Sequence, residues 1–239
     1  LDVDTGKQLW RRDVNASVGG VWERCRGLAY FDINAAIAAP TVAGSSPVTP
    51  VSLPASGGCE RRVVMNTIDA RLVAINADNG EMCAEFGDKG EVDLKAGLGN
   101  IANQAFYTMT SAPTVAGTAI VVGGRVADNV QVDMPGGVMR AFDVISGKML
   151  WHFDPGSDNP NAPLGAEQNF QRSTPNVWAG ISYDPTMNAV FLPVGSASVD
   201  LYGATRSALD RKYGASVLAL DAATGKEKWV SQTVHNDLW

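Results

Sequence analysis

One motif that recurs along the chain limits the folds open to it. In its fullest form, at residues 217–229, an apolar run of strand length ends at Asp221 and a turn follows. The turn contains Thr224 and Gly225, and a second run reaches Trp229. The Asp and Thr side chains can hydrogen-bond to the turn amides, and glycine accepts the positive φ angle that the turn requires. The motif therefore predicts a β-hairpin.

Three further copies make the chain repetitive. The copies at residues 1–10 and 141–151 keep the pattern. The copy at 74–83 is degenerate, with Asn76 in place of the aspartate and Cys83 in place of the tryptophan. The turn glycines lie about 70 residues apart, which is longer than most solenoid repeats and typical of propeller blades with long loops. These glycines are Gly6, Gly80, Gly147 and Gly225.

Each period carries the strand signals of one blade. In the central period, residues 112–124 predict two strands joined by a turn at 116–118. Strands at 138–142 and 149–153 follow, on either side of Gly147. This order gives four antiparallel strands per period, as in a propeller blade. In the last unit the predicted strands cover 178–183, 189–193, 217–220 and the segment from Lys228 onward.

The number of repeats sets the size of the domain. A propeller needs at least about four blades to close its ring, and four turns delimit only three complete periods. We therefore predict an all-β fold in which residues 1–239 form a β-propeller arc of about three to four blades from a larger ring. An uncharged segment rich in Ala, Ser, Pro and Val is predicted to be an inserted loop at residues 35–58.

Composition and charge exclude several classes of function. The net charge is −6 and no basic run is present, which argues against binding to nucleic acid or to anionic lipid. No stretch approaches the roughly 18 apolar residues of a membrane span. The sequence has no phosphate-binding glycine loop, and neither His152 nor His235 lies in a serine or cysteine nucleophile pattern. Kinase, nicotinamide and hydrolase functions therefore have little support.

The three cysteines, Cys25, Cys59 and Cys83, form no C-x-x-C pair. They are either buried inert thiols or include one disulfide formed in an oxidising compartment. With four strands per blade, Cys59 precedes the second strand and Cys83 starts the fourth. These two strand ends lie on the same rim of the blade, so Cys59–Cys83 is the favoured pair.

Blade topology predicts which rim carries function. In a four-stranded meander the repeated turns emerge on one rim, whereas the loop after the second strand and the loops between blades emerge on the other. Functional residues on loops of a rigid scaffold are the expected arrangement. The polar or aromatic residues assigned to the second rim are Arg26, Asp69, Asp128, Asn129, Asn176, Trp178, Ser198, Asp200, His235 and Asp237.

The repeats resemble the tryptophan-docking motifs of the eight-bladed dehydrogenases that depend on pyrroloquinoline quinone (PQQ). Within that family, four segments are similar to the branch of membrane-bound glucose dehydrogenases. The segments are 25–30, 124–129, 174–178 and 232–239.

The resemblance implies a PQQ site with Ca²⁺ or Mg²⁺. Asp128 matches the metal-ligating carboxylate, and Asn129 beside it supplies a second hard oxygen. Trp178 matches the ring on which the quinone stacks, and Arg26 matches an arginine that bonds to the quinone oxygens. Asn176 and Ser198 match further cofactor-binding positions. The general base of the family corresponds to the position directly after Trp239, so no catalytic residue is expected within residues 1–239.

Several positions differ from the family pattern and leave the substrate open. Ser196 stands where the alcohol dehydrogenases carry a metal-binding asparagine, and Gly20-Val21 replaces their adjacent cysteine pair. Trp22 and Asn236 each replace a histidine that is common in the glucose enzymes.

The expected function is oxidation of an aldose, with glucose converted to gluconolactone and the electrons passed to membrane ubiquinone. The expected location is the periplasmic side of the bacterial inner membrane, with the membrane contact in a segment outside this chain. Two alternatives remain. One is a quinate or shikimate dehydrogenase of the same branch. The other is a non-catalytic propeller scaffold, such as an outer-membrane assembly protein with the same repeats.

Overall fold

A computed structural model describes residues 1–20, 26–38 and 58–238. The described residues form three successive four-stranded antiparallel sheets. Each sheet has its strands in sequence order, as in a propeller blade. The prediction of an all-β propeller arc is confirmed. Among the described residues, no helix has the length and apolar character needed to cross a membrane.

Blade I begins with β1 and a short helix, α1, that follows it directly. Residues 35–38 of the predicted inserted loop belong to this helix, whose start is favoured by Asp32, because its carboxylate accepts hydrogen bonds from the amides of Asn34 and Ala35. The loop prediction was wrong there, and its residues 39–57 lie outside the described residues. The elements are β1 Ala29–Asp32, α1 Ile33–Ala38, β2 Arg61–Asn66, β3 Arg71–Asn76 and β4 Glu91–Asp93.

The fourth strand of blade I starts later than the sequence predicted. Cys83 does not begin it: Met82 makes an isolated bridge to Ile75, and the chain then leaves the sheet. Hydrogen bonds from Phe86 N to Cys83 O and from Gly90 N to Phe86 O close the excursion into two turns. Strand β4 then pairs with β3.

Blade II follows the predicted order, including the hairpin turn at Gly117, which has a φ of 64°. A small two-stranded sheet, β5–β8, lies beside it and includes part of the long loop between the second and third strands of the blade. The elements are β5 Tyr107–Thr108, β6 Thr114–Ala116, β7 Ala119–Val122, β8 Arg125–Val126, β9 Met139–Asp143 and β10 Met149–Phe153, with a 3₁₀ helix at Gln104–Phe106.

Blade III differs from the prediction at its first strand. The strand was expected over 178–183, but it covers Ser182–Asp184. The carbonyl of Trp178 is held by the hydroxyl groups of Thr110 and Ser111 rather than by a neighbouring strand. The elements are β11 Ser182–Asp184, β12 Ala189–Val194, β13 Ser216–Asp221 and β14 Glu227–Gln232, with a 3₁₀ helix at Gly203–Thr205 and helix α2 at Ala208–Tyr213.

The core lies between the blades, which explains the continuous apolar runs in the central strands. Successive residues of a strand point to opposite faces of the sheet. In β7, Ile120 and Val122 therefore pack in the cluster shared with blade I. Ala119 and Val121 pack in the cluster shared with blade III. Because both faces are covered, the strand has no polar alternation.

The repeated tryptophans join one blade to the next. Trp10 donates a hydrogen bond from Nε1 to the carbonyl of Ala77 at 2.8 Å. Trp151 donates in the same way to the carbonyl of Ala222 at 2.9 Å. Each ring lies on a turn glycine, and a Cβ added at Gly225 would lie 2.5 Å from Trp151 Cε3. The repeat therefore specifies both a hairpin and the contact that anchors it to its neighbour.

The degenerate repeat, with Cys83 in place of tryptophan, uses an arginine instead. Arg62 is fully buried and donates from Nη1 to the carbonyls of Val144 and Ile145, at 3.0 and 3.1 Å. Val144 follows the turn aspartate of blade II, as Ala77 and Ala222 follow the first residues of their turns. The guanidinium group of Arg62 therefore makes the contact between blades that the indole of tryptophan makes in the other repeats.

Further contacts complete the Arg62 joint. Its Nε and Nη2 both donate to the carbonyl of Cys59, and Nη2 also pairs with Glu85 at 2.9 Å. Burial lowers the pKa of Arg62, and the charge of Glu85 opposes this shift. Over the turn of blade II, the amide of Gly87 bonds to the carbonyl of Ser146 at 2.9 Å, whereas a tryptophan ring covers the turns at Gly80 and Gly225.

The predicted disulfide is present and supports this joint. Cys59 and Cys83 are bonded, with 5.6 Å between their Cα atoms. The bond fixes the segment whose Cys59 carbonyl accepts from Arg62. Cys25 lies outside the described residues.

The Arg62 joint can be tested with its neighbour as a control. Arg62→Ala should lower the free energy of unfolding by about 3–5 kcal/mol, because buried carbonyls and Glu85 lose their charged donor. Arg61→Ala should cost at most about 1 kcal/mol, because Arg61 and Asp78 form an ion pair in which both side chains are about half exposed. Denaturant midpoints of the full-length protein measure both effects, and equal losses would contradict the joint.

Candidate functional site

The rim opposite the repeated turns carries the predicted site residues, and two loops build most of it. One is the loop at 123–138 in blade II, and the other is the segment at 171–181 between blades II and III. They pack closely because Gly123 and Gly137 lack side chains, and a Cβ at Gly137 would lie 1.9 Å from the carbonyl oxygen of Pro175. A Cβ at Gly123 would lie 2.3 Å from the carbonyl oxygen of Val177, so no larger residue fits there without movement.

Asn176 ties three segments together from a buried position. Its Oδ1 accepts a hydrogen bond from Val126 N at 3.4 Å, and its Nδ2 donates to the carbonyl of Ser196 at 3.2 Å. Its own carbonyl accepts from Gly195 N at 2.8 Å. Asn176 is 3% exposed, so it positions the rim loops rather than presenting an open polar group.

Trp178 lies beside these loops with much of its ring open. It is 45% exposed, although its carbonyl is fixed by two hydroxyl groups, each at 2.7 Å. The guanidinium carbon of Arg26 lies 5.8 Å from the ring centroid. A Cβ at Gly195 would come within 3.1 Å of Trp178 Nε1, so glycine there makes room for the ring edge. The result is a fixed aromatic surface next to a cation.

Asp128 and Asn129 lie just after strand β8, separated from it by Ala127. The Asp128 side chain is 52% exposed and lies 3.7 Å from Arg125 Nη2. Asn129 adopts a φ of 52°, which asparagine tolerates better than most residues. Its Oδ1 accepts from Leu201 N at 3.1 Å, which joins this loop to the long loop of blade III, at 195–215.

The blade III loop adds a second carboxylate near the first. Asp200 is half-buried, and its Oδ1 is enclosed without a hydrogen-bond partner among the described residues. Burial raises the pKa of Asp200, and the charge of Asp128 adds to the shift, while a hydrogen bond from Asn129 opposes it. Ser198 Oγ donates to the carbonyl of Ala127 at 3.3 Å. Asp128, Asn129, Ser198 and Asp200 thus belong to one connected region.

Two of the rim residues have their polar groups engaged with local partners instead. Asp69 pairs with Arg71 at 3.0 Å within blade I. His235 Nδ1 lies 2.9 Å from Gln232 Oε1.

Sequence reasoning missed several residues of the rim. Arg125, the ion-pair partner of Asp128, lies within the 124–129 segment and was not singled out. Gly195 carries no side-chain signal, because its role depends on the distant Trp178 ring. Arg206 links two loops through the carbonyls of Asp200 and Asp237, and its surroundings could not be inferred from a sequence with no motif there.

The residues on the rim suit the cofactor and cation that the family resemblance implies. A planar quinone needs an accessible flat ring and a cation for its carboxylates, which Trp178 and Arg26 supply. A divalent cation needs several oxygen ligands. The buried, unpartnered Asp200 Oδ1 next to the acid–amide pair at 128–129 is consistent with that need.

Comparison with known proteins identifies the family. A family profile described as the β-propeller domain of PQQ-dependent glucose, ethanol and alcohol dehydrogenases matches residues 1–239. The chain is 56% identical over 239 residues to quinate/shikimate dehydrogenase (quinone) of Acinetobacter baylyi, covering 100% of this chain and 29% of that protein. It is 37% identical over 241 residues to quinoprotein glucose dehydrogenase of Escherichia coli, covering 100% of this chain and 28% of that protein.

A solved structure supports the fold. The quinohemoprotein alcohol dehydrogenase of Comamonas testosteroni superposes with a TM-score of 0.55 at 21% identity, covering 74% of this chain and 27% of that one. The chain therefore spans less than a third of the length of the relatives it matches. With its full length matched and its blades in place, the chain belongs to the family of PQQ-dependent dehydrogenases, as part of their β-propeller domain.

Proposed function

We propose that this chain is part of a PQQ-dependent, quinone-linked dehydrogenase that oxidises a ring hydroxyl group of a cyclic hydroxy acid of the quinate or shikimate type. The observation that carries the proposal is the rim itself. There an exposed, fixed indole ring next to Arg26 lies on the same rim as a loop that presents Asp128 and Asn129.

In this proposal the rim residues bind and orient the cofactor. Trp178 offers the flat surface for stacking, and its fixed carbonyl keeps the ring in place. Arg26 pairs with the acidic oxygens of the quinone. Asn176 fixes the 123–138 loop relative to the 195–215 loop, because its side chain bonds to Val126 in the first and to Ser196 in the second. PQQ, when bound, would supply the two-electron acceptor of the reaction.

The cation, Ca²⁺ or Mg²⁺, would be held by oxygen atoms of two loops. Asp128 and Asn129 are the proposed ligands. Asp200 Oδ1 is an enclosed, unpartnered oxygen in the loop that Leu201 joins to Asn129. Arg125 neutralises Asp128 only in part, because the two groups are 3.7 Å apart and the Asp128 side chain is exposed. Ser198 closes the same region through the carbonyl of Ala127.

The substrate assignment rests on similarity. The relative named for quinate and shikimate shares 56% identity with this chain, compared with 37% for the relative named for glucose. The similarity favours the hydroxy acid, which was the alternative from sequence, over the aldose. The scaffold alternative is disfavoured by the acid–amide pair and the open indole ring, for which a purely structural rim has no use.

The location is part of the same proposal. We place the protein on the periplasmic side of the inner membrane, with ubiquinone as the electron acceptor. The Cys59–Cys83 bond supports this location, since disulfides persist in oxidising compartments.

The substrate proposal is tested with the full-length protein, loaded with PQQ and Ca²⁺ or Mg²⁺. Quinate and shikimate should reduce a ubiquinone analogue with a higher kcat/KM than glucose. A higher kcat/KM for glucose would restore the aldose assignment. A protein that binds no PQQ would favour the scaffold.

The stacking role of Trp178 is tested by substitution. Trp178→Ala should raise the Kd for PQQ about tenfold or more, because the flat apolar surface is lost. Trp178→Phe should retain part of the affinity, since a smaller ring still stacks. Titration of the apo-protein with PQQ, followed by fluorescence quenching, measures both. Equal affinities for the wild type and Trp178→Ala would remove Trp178 from the site.

The cation role of Asp128 is tested against an acid of the same loop. Asp128→Asn should raise the cation concentration needed for half-maximal PQQ binding about tenfold or more, because the site loses a charged ligand. Asp133→Asn is the matched control, since Asp133 is 76% exposed and pairs with Arg172. Calcium titrations of PQQ binding provide the measurement. A shift shared by both variants would indicate a general charge effect.

A further inference from the structure

A cavity next to the predicted cation site is lined by two arginines and by apolar side chains. It has a volume of about 430 Å³ and lies where the long loop of blade III meets the segment after β14. Leu201, which lines the cavity, donates a hydrogen bond from its amide to Oδ1 of Asn129, one of the proposed cation ligands. Its principal lining residues are Leu201, Tyr202, Leu238, Arg206, Arg211 and Asn236.

The two guanidinium groups lack acidic partners. Arg206 donates to the carbonyls of Asp200 and Asp237, and its Nε is buried without a hydrogen-bond partner. Arg211 donates to Asn236 Oδ1 at 3.1 Å and to the carbonyl of Gly203 at 3.2 Å. Among the residues that the structure describes, no carboxylate lies within ion-pair distance of either group, although the chain as a whole is acidic.

The acids close to the two arginines in sequence do not pair with them. The Asp210 carboxylate accepts from Ser207 N at 2.8 Å, where it completes the capping box of helix α2. Asp200 meets Arg206 through its backbone carbonyl, at 2.8 Å, and not through an ion pair with its carboxylate. Both guanidinium groups at the cavity are therefore left without a carboxylate partner among the described residues.

We propose that Arg206 and Arg211 form a subsite for the carboxylate group of the substrate, and that they set the preference for an acidic ring over a neutral sugar. This inference rests on the proposed function and adds the recognition element to it. Guanidinium groups bind carboxylates through paired, charge-assisted hydrogen bonds. The apolar walls formed by Leu201, Tyr202 and Leu238 suit the carbon ring of a cyclic acid.

The position of the subsite fits a role in binding rather than in chemistry. The carboxylate does not react when a ring hydroxyl group is oxidised, so its contacts are the same before and during the reaction. Loss of such a contact raises KM and leaves kcat unchanged. The cavity adjoins the Asn129 loop, so a ring anchored by its carboxylate would have its hydroxyl groups on the side of the proposed cofactor.

Arg211 is the position to change, because it is exposed, whereas Arg206 also joins two loops. In the full-length protein loaded with PQQ and Ca²⁺, Arg211→Gln should raise KM for quinate about tenfold or more, since hydrogen bonds to a charged group are lost. The KM for the neutral methyl ester of quinate should not change. Arg211→Lys keeps the charge but lacks the planar guanidinium group, so its KM for quinate should lie between those of the wild type and Arg211→Gln. Arg61→Gln, on the opposite rim, is the control and should behave as the wild type.

The outcomes separate this inference from the proposed function. An equal rise in KM for quinate and its methyl ester, or no rise for either, would overturn the subsite. If the wild type oxidises neither quinate nor the ester, the proposed function fails. The subsite is then tested with cyclohexanecarboxylate, used as an inhibitor of the oxidation of whichever alcohol the protein accepts. If cyclohexanecarboxylate inhibits Arg211→Gln less than the wild type, the subsite is supported. Equal inhibition of the two proteins would overturn the subsite.

Discussion

The contact between blades is the interaction on which the rest of the structure depends. A four-stranded sheet that is apolar on both faces is unstable alone and must be covered on each side. In this chain, neighbouring blades are held together by a hydrogen bond from Trp10 or Trp151 to a carbonyl in the repeated turn of the next blade. Arg62 makes the corresponding bonds where the tryptophan is missing. The same carbonyl position is therefore used by two different donors.

Anchoring one rim leaves the opposite rim free to vary. The turns at Gly80 and Gly225 are tied down by ring contacts, whereas the long loops at 123–138 and 195–215 are held by a few polar bridges. Asn176 is the main bridge, and it is buried. The exposed Trp178 and the half-exposed Asp128 are consequently placed by a rigid frame, while their side chains remain accessible.

Much of the fold could be predicted from the sequence, because the repeat encodes it. The strand order and the Cys59–Cys83 pairing followed from counting four strands per blade, although Cys83 lies ahead of the fourth strand and does not start it. Errors occurred where tertiary contacts override local pattern. The excursion after Met82 depends on turns closed by Gly90, and the late start of β11 depends on hydroxyl groups that hold Trp178. The composition of the rim was predicted in part, since Arg26 and Trp178 do meet. Contacts such as Arg125 with Asp128 carry no motif.

The chemistry of arginine in this chain depends on access. Arg140 and Arg206 both donate mainly to backbone carbonyls. In the described part of the chain, neither has a carboxylate within ion-pair distance. Arg140 is 2% exposed and enclosed between blades, where its bonds to Leu94 and Ala96 join neighbouring sheets and no ligand can reach it. Arg206 instead lines a cavity together with the exposed Arg211. An unbalanced positive charge inside the fold is structural, but the same charge at an open cavity attracts an anion. The difference between a joint and a recognition site therefore lies in solvent access rather than in residue type.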